Sequence, residues 1–243
     1  MRQGTKSIIA AFMSLAFITN ASALSMQDAE AAEKRDDAPT AVRIYEEYAK
    51  AGNAQAMRRL AYFSQIGWGK KRDWLIAAKW LKNAYEAGDK SAASSVAFLG
   101  YNCQYMEGCN QDEIIKIVEE LASQGAAPAQ YGLARVLYEV KIDPPLSEDI
   151  GRIKEAVNLY LKAANQGEVD AQVAMAILSE AGLGVSQNYI EAHKWYNVAI
   201  QNTPPKYGDF AFKLMRKRDE LAAKMTNDAR QKAQALASAF EKK

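Results

Sequence analysis

Small and bulky apolar residues recur along this chain at helical spacing, and glycines interrupt them at regular intervals. The clearest stretch is residues 167–201, which reads as one helix, a glycine-bearing turn and a second helix. Three upstream stretches repeat it with decay. The opening glycines are Gly52, Gly88, Gly125 and Gly167, so the steps are 36, 37 and 42 residues. Units one and four agree at identical offsets. Turn glycines Gly67 and Gly69 match Gly182 and Gly184, and Ala77, Trp80 and Ala84 match Ala192, Trp195 and Ala199. Unit two keeps the frame with Ile114, Ile117 and Leu121, and unit three with Ala156, Leu159 and Ala163.

A repeat of this length holds two helices of roughly 13 residues, each about 20 Å long, and two short loops. Ala56, Ala129 and Ala171 share one offset in the first helix. With nothing beyond Cβ, they allow close helix approach. Trp80, Ile117, Leu159 and Trp195 are the bulky wedges between units. No unit buries both faces alone, so stacking supplies the stability. The chain shows no useful β alternation and only six prolines, which argues for an all-α fold.

These residues resemble the Sel-one-like repeat (SLR) family, a relative of the tetratricopeptide repeats with a longer, glycine-marked turn. Ala171, Gly182, Gly184, Ala192, Trp195, Tyr196 and Ala199 carry the resemblance in unit four. Gly52, Ala56, Gly67, Gly69, Ala77, Trp80, Ala84 and Gly88 carry it in unit one. It implies a right-handed α-solenoid of stacked helix–turn–helix repeats acting as an adaptor or regulator. The matching positions are packing positions, so no catalytic residue is carried across. The expected organisation is a solenoid over 39–201, with units near 52–87, 88–124, 125–166 and 167–201, and a C-terminal capping helix pair over 202–243.

Residues 1–23 lie outside that fold. Arg2 and Lys6, the apolar stretch Ile8–Ile18 and Ala21-Ser22-Ala23 have the form of a secretory signal peptide cut after Ala23. A periplasmic or secreted protein is expected, with no membrane span in the mature chain. Residues 24–38 are polar and charged and read as a flexible lead-in. Removing the leader balances basic and acidic residues at 29 each, which gives no nucleic-acid footprint.

Export places Cys103 and Cys109 in an oxidising compartment. On a continuous helix their Cα atoms would lie about 9 Å apart, too far for a disulfide. Gly108 and a local loss of helical pattern let the chain turn, so a Cys103–Cys109 disulfide is expected to pin the turn of unit two. Free thiols, or a redox or metal role, are the alternatives. Unit three carries an insertion, Val140–Ile150, in which Pro144-Pro145 forbids a helix. It reads as length drift or as a contact loop.

Chemistry is sparse. His193 is the only histidine and sits at a helix-face position. Glu46-Glu47 and Glu119-Glu120 are sequence neighbours that diverge around a helix. No metal spacing or phosphate loop is present, so no metal or cofactor is implied. What remains is surface. The first helices of such arrays usually line a concave face. Arg58, Arg59 and Tyr62 in unit one and Tyr131 and Arg135 in unit three are the candidate protein-binding residues, of types favoured at binding hot spots. The expected function is an exported, monomeric, non-enzymatic scaffold binding another protein or peptide in a bacterial envelope complex or sensor. A secreted factor binding a host protein is the alternative. A β-lactam-binding or -hydrolysing enzyme ranks last, because the cysteine-rich relatives it would follow carry a cysteine pair in nearly every repeat.

Overall fold

The computed structural model describes residues 24–138 and 147–240. The expected signal peptide lies outside the described residues, as do Pro144-Pro145 and the rest of the insertion before Ser147. Twelve α-helices occur among the described residues, and no strand. The first six are α1 (Met26–Lys34), α2 (Ala38–Lys50), α3 (Ala54–Ile66), α4 (Trp74–Glu86), α5 (Ala92–Asn102) and α6 (Gln111–Ser123). The second six are α7 (Ala127–Tyr138), α8 (Ser147–Asn165), α9 (Val169–Ala181), α10 (Tyr189–Asn202), α11 (Gly208–Ala222) and α12 (Asn227–Ser238). From α1 to α11 each helix packs on the next in the chain, and α12 packs back on α10.

The small-residue offsets are where helices meet. Ala56, Ala92, Ala129 and Ala171 of the first helices are wholly buried. So are Ala77, Ala84, Ala156, Ala163, Ala192 and Ala199 of the second helices. Two apolar clusters result, one from Ala29 to Leu133 and one from Ala134 to Ala237, and they adjoin within α7. Trp195 is 2% exposed at the centre of the second, where Phe240 meets it edge-on at 5.5 Å.

Units one and four close their turns identically. Asp73 N–H donates to Ser64 O at 2.9 Å, and Asn188 N–H to Ser179 O at 2.8 Å. The same two residues cap the following helices, Asp73 through the Ile76 N–H and Asn188 through those of Ile190 and Glu191. Gly184 shows why the second turn residue is glycine. Its φ is +72°, and a Cβ there would come within 2.5 Å of Ile153 on α8.

Residues 24–38 do not form the expected flexible lead-in. Ser25 and Asp28 build a capping box, with the Asp28 carboxylate accepting the Ser25 N–H at 2.7 Å. Ala29 and Ala32 are wholly buried. The Glu33 carboxylate accepts from Tyr45 Oη on α2 and from Arg59 on α3. Other charged residues of the segment are used just past α1: Asp36 accepts from Trp68 Nε1–H at 2.8 Å, and Asp37 caps α2 by accepting the Thr40 N–H at 3.2 Å.

Unit two departs most from the repeat. A 3-10 turn, Cys103–Tyr105, follows α5, and Cys103 and Cys109 are joined by a disulfide with a Cα separation of 5.5 Å. Asn110 then caps α6 through the Glu113 N–H.

Candidate interaction face and pocket

The first helices of the four units present the same position, ten residues after each opening glycine. Tyr62, Phe98, Arg135 and Ile177 occupy it. Tyr62, Phe98 and Ile177 are 47%, 60% and 49% exposed, and Arg135 is half-buried. Stacking turns one sequence offset into a row across α3, α5, α7 and α9. Large aromatic and aliphatic groups standing in water on a rigid scaffold suit a partner that covers them.

A pocket of about 240 Å³ opens on this face. Phe98 and Tyr101 of α5, Tyr131 and Arg135 of α7, and Glu168 and Asp170 at the start of α9 line it. The Arg135 guanidinium lies 3.3 Å from the Tyr101 ring centroid and 5.8 Å from that of Tyr131. Tyr131 in turn packs on Tyr160 at 5.8 Å. Burial pushes the Glu168 carboxyl above its ordinary range, and the Asp170 charge pushes it further. Burial also raises the Tyr131 phenol, with Asp170 adding to the shift and Arg135 opposing it. The pocket joins an aromatic cradle, a fixed cation and two carboxylates. It can seat a side chain of a docked peptide by stacking and charged hydrogen bonds.

The Sel1 repeat family model matches residues 54–89, 127–168 and 169–203. The chain carries Sel1 repeats. A Sel1 repeat protein from Oxalobacter formigenes has a similar crystal structure, with 20% identity, 93% of this chain and 92% of that chain covered, and a TM-score of 0.52. A protective antigen of uropathogenic Escherichia coli with an SLR fold aligns at 16% identity, covering 89% of this chain and 61% of that chain, with a TM-score of 0.32. An immunity protein from Pseudomonas aeruginosa aligns at 19% identity, covering 81% and 83%, with a TM-score of 0.40. No curated protein matches the sequence. Sel1 repeats form a protein-interaction scaffold, generally without catalysis.

The Sel1 array brings Tyr131 and Arg135 together, as neighbours on one wall of the pocket. It places Arg58, Arg59 and Tyr62 apart from them, on α3. Arg58 donates to Asp89 at 3.1 Å and to Ser91 Oγ at 2.7 Å, tying unit one to unit two. Arg59 binds Glu33 and lies 5.3 and 5.2 Å from the Tyr62 and Phe63 ring centroids, holding α1 to α3. Both arginines therefore serve contacts inside the array. Phe98, Tyr101, Glu168 and Asp170 were not anticipated. The offset of ten shared by Tyr62, Phe98, Arg135 and Ile177 was the available signal for Phe98.

His193 is 7% exposed, and its Nδ1 lies 3.0 Å from Asn197 Nδ2. Among the described residues no group of His, Cys, Asp or Glu is placed to hold a metal ion. No described helix is long and apolar enough to cross a membrane.

Proposed function

We propose that this Sel1 array is an exported scaffold that holds a protein or peptide partner on its first-helix face and thereby assembles or regulates an envelope complex or sensor. The observation that carries it is the row Tyr62, Phe98, Arg135 and Ile177, with the pocket opening beside Phe98 and Arg135. Exposed aromatic anchors beside a preformed pocket are how small interfaces concentrate their energy. Export is supported by the leader-like residues 1–23 and by the Cys103–Cys109 disulfide, a bond that persists in oxidising compartments. The reading is non-catalytic. The one histidine is buried in a helix interface and faces Asn197, away from the pocket lining.

Crosslinking in intact cells, followed by mass spectrometry of the captured species, tests it. One envelope protein should be held reproducibly, and Phe98→Ala or Arg135→Ala should weaken its capture. Capture that survives both substitutions would remove the partner from this face. Recovery of the protein in the medium, with no envelope species held, would move the search to external targets.

A further inference from the structure

We propose a second docking surface: the groove between the turn of unit one and the disulfide-held turn of unit two binds an acidic peptide segment carrying an aliphatic or aromatic side chain. The groove has a volume of about 940 Å³ and shares no lining residue with the pocket on α5, α7 and α9. Its failure would therefore leave the first-helix reading standing.

Three consecutive cations, Lys70, Lys71 and Arg72, form one wall. Lys70 is committed to Glu46 at 2.6 Å. Lys71 and Arg72 make no ion pair with any described residue, and the Arg72 guanidinium lies 5.6 Å from the Trp74 ring centroid. The acids at hand do not neutralise them. The Asp73 carboxylate accepts the Ile76 N–H at 2.9 Å and caps α4, and Glu107 stands on the opposite wall. Ile66 and Ile76 flank the cations and are 46% and 45% exposed. Uncommitted cations between half-exposed aliphatic side chains complement a segment with carboxylates around an apolar residue. A nucleic acid fits less well, because the cations do not extend into a stripe and the Trp74 ring is already covered by Arg72.

The opposite wall is held by covalent chemistry. The Cys103–Cys109 disulfide closes the turn that carries Glu107 and Gly108, and Trp74 Nε1–H donates to Glu107 O at 3.1 Å. The disulfide thus sets the width of the groove, and reducing it loosens one side of the surface.

Selection of displayed random peptides on the purified, disulfide-intact protein tests the proposal. Enriched sequences should be rich in Asp and Glu around one Leu, Ile or Phe. A synthetic peptide of the enriched sequence should lose roughly tenfold or more in affinity on the Lys71→Glu, Arg72→Glu double variant, and several-fold on reduction. It should bind Arg135→Ala as it binds the parent. Both charge changes lie on an exposed turn, and unchanged melting of the variant will show that the fold is intact. Selection without acidic enrichment, affinity untouched by the double variant, or displacement of the peptide by a single-stranded oligonucleotide would each overturn it.

Discussion

Gln130 on α7 and Gln172 on α9 make the same hydrogen bond in successive repeats. The Gln130 side-chain amide donates to Ala122 O at 3.2 Å, and that of Gln172 donates to Ala164 O at 3.0 Å, eight residues back in each case. Each then accepts from a later residue, Gln130 from Gln166 at 2.7 Å and Gln172 from Asn202 at 3.2 Å. Both are buried, and every buried side-chain polar atom described has a partner. The glutamine therefore ties the end of the previous unit to the end of its own. Gln172→Leu keeps the volume but removes both bonds and leaves the Asn202 amide without its acceptor. It should destabilise the protein by about 1–3 kcal/mol in urea denaturation. An unchanged midpoint would show that the bonds merely replace equivalent ones to water.

Gly132 sets the spacing of α5 and α7, the two helices that make most of the pocket. A Cβ at that position would lie 2.6 Å from Ala97 Cβ and 3.1 Å from its Cα. The obstacle is backbone and the first side-chain atom, so no rotamer change relieves it. Gly132→Ala should force the helices apart and cost about 1–3 kcal/mol, although alanine is the better helix former. The same change should weaken partner capture, because it displaces Arg135 from Tyr101. Gly151→Ala, inside α8 where nothing lies within 4 Å of the added atom, is the control and should leave stability unchanged or raise it by up to about 1 kcal/mol.

The repeat frame was legible because its markers are forced by packing. Ala171 and Ala192 lie where two helices touch, and Gly184 lies where a side chain would strike Ile153. Helix α1 was less so. Its buried surface is two alanines, and the Arg59 partner of Glu33 lies 26 residues downstream. Arg58 and Arg59 read as binding candidates for the same reason: a counter-ion in the adjoining unit is invisible until the stacking register is known. The pocket was half legible. Tyr131 and Arg135 stood out by residue type, whereas Glu168 and Asp170 belong to the next unit and reach the pocket only through stacking. Gln130 and Gln172 share one offset among otherwise buried positions, a polar repetition that the residues themselves display.

Reduction of the disulfide should be felt in stability as well as in the groove. Closing so short a loop restricts the unfolded chain, worth roughly 2–3 kcal/mol in the chain-entropy model. Cys103→Ser, Cys109→Ser should therefore lower the urea midpoint while leaving the helical circular dichroism signal in place. A loss of most helix would mean that the bond is needed for unit two to form at all.

Glu33 anchors the first helix. Glu33→Ala removes the acceptor of both Tyr45 Oη and Arg59, and leaves the guanidinium half-buried beside Tyr62 and Phe63. A cost of about 1–3 kcal/mol is expected, with faster amide exchange concentrated in residues 26–34. Glu33→Gln keeps an acceptor oxygen and should recover part of the loss. Exchange in α1 identical to that of the parent would show that Ala29 and Ala32 hold the helix unaided.

His193 gives the array a pH dependence of defined sign. Burial lowers its pKa from the ordinary 6.5, and Arg218 and Arg230 lower it further against the opposing charge of Asp219. Arg218 also donates to Asn197 Oδ1 at 3.2 Å, so a positive charge on the imidazole would face a guanidinium already fixed in place. The unfolded chain binds the proton more readily than the folded one. The contribution is therefore full above the unfolded value and is lost as pH falls below it toward the folded value. Melting temperature should drop between about pH 7.5 and pH 5, and His193→Gln, which does not titrate, should drop less over the same interval. The difference between the two profiles isolates the imidazole from carboxylates that begin to titrate at the lower pH. Parallel profiles would show that the α10–α11 interface accommodates the charged ring without cost.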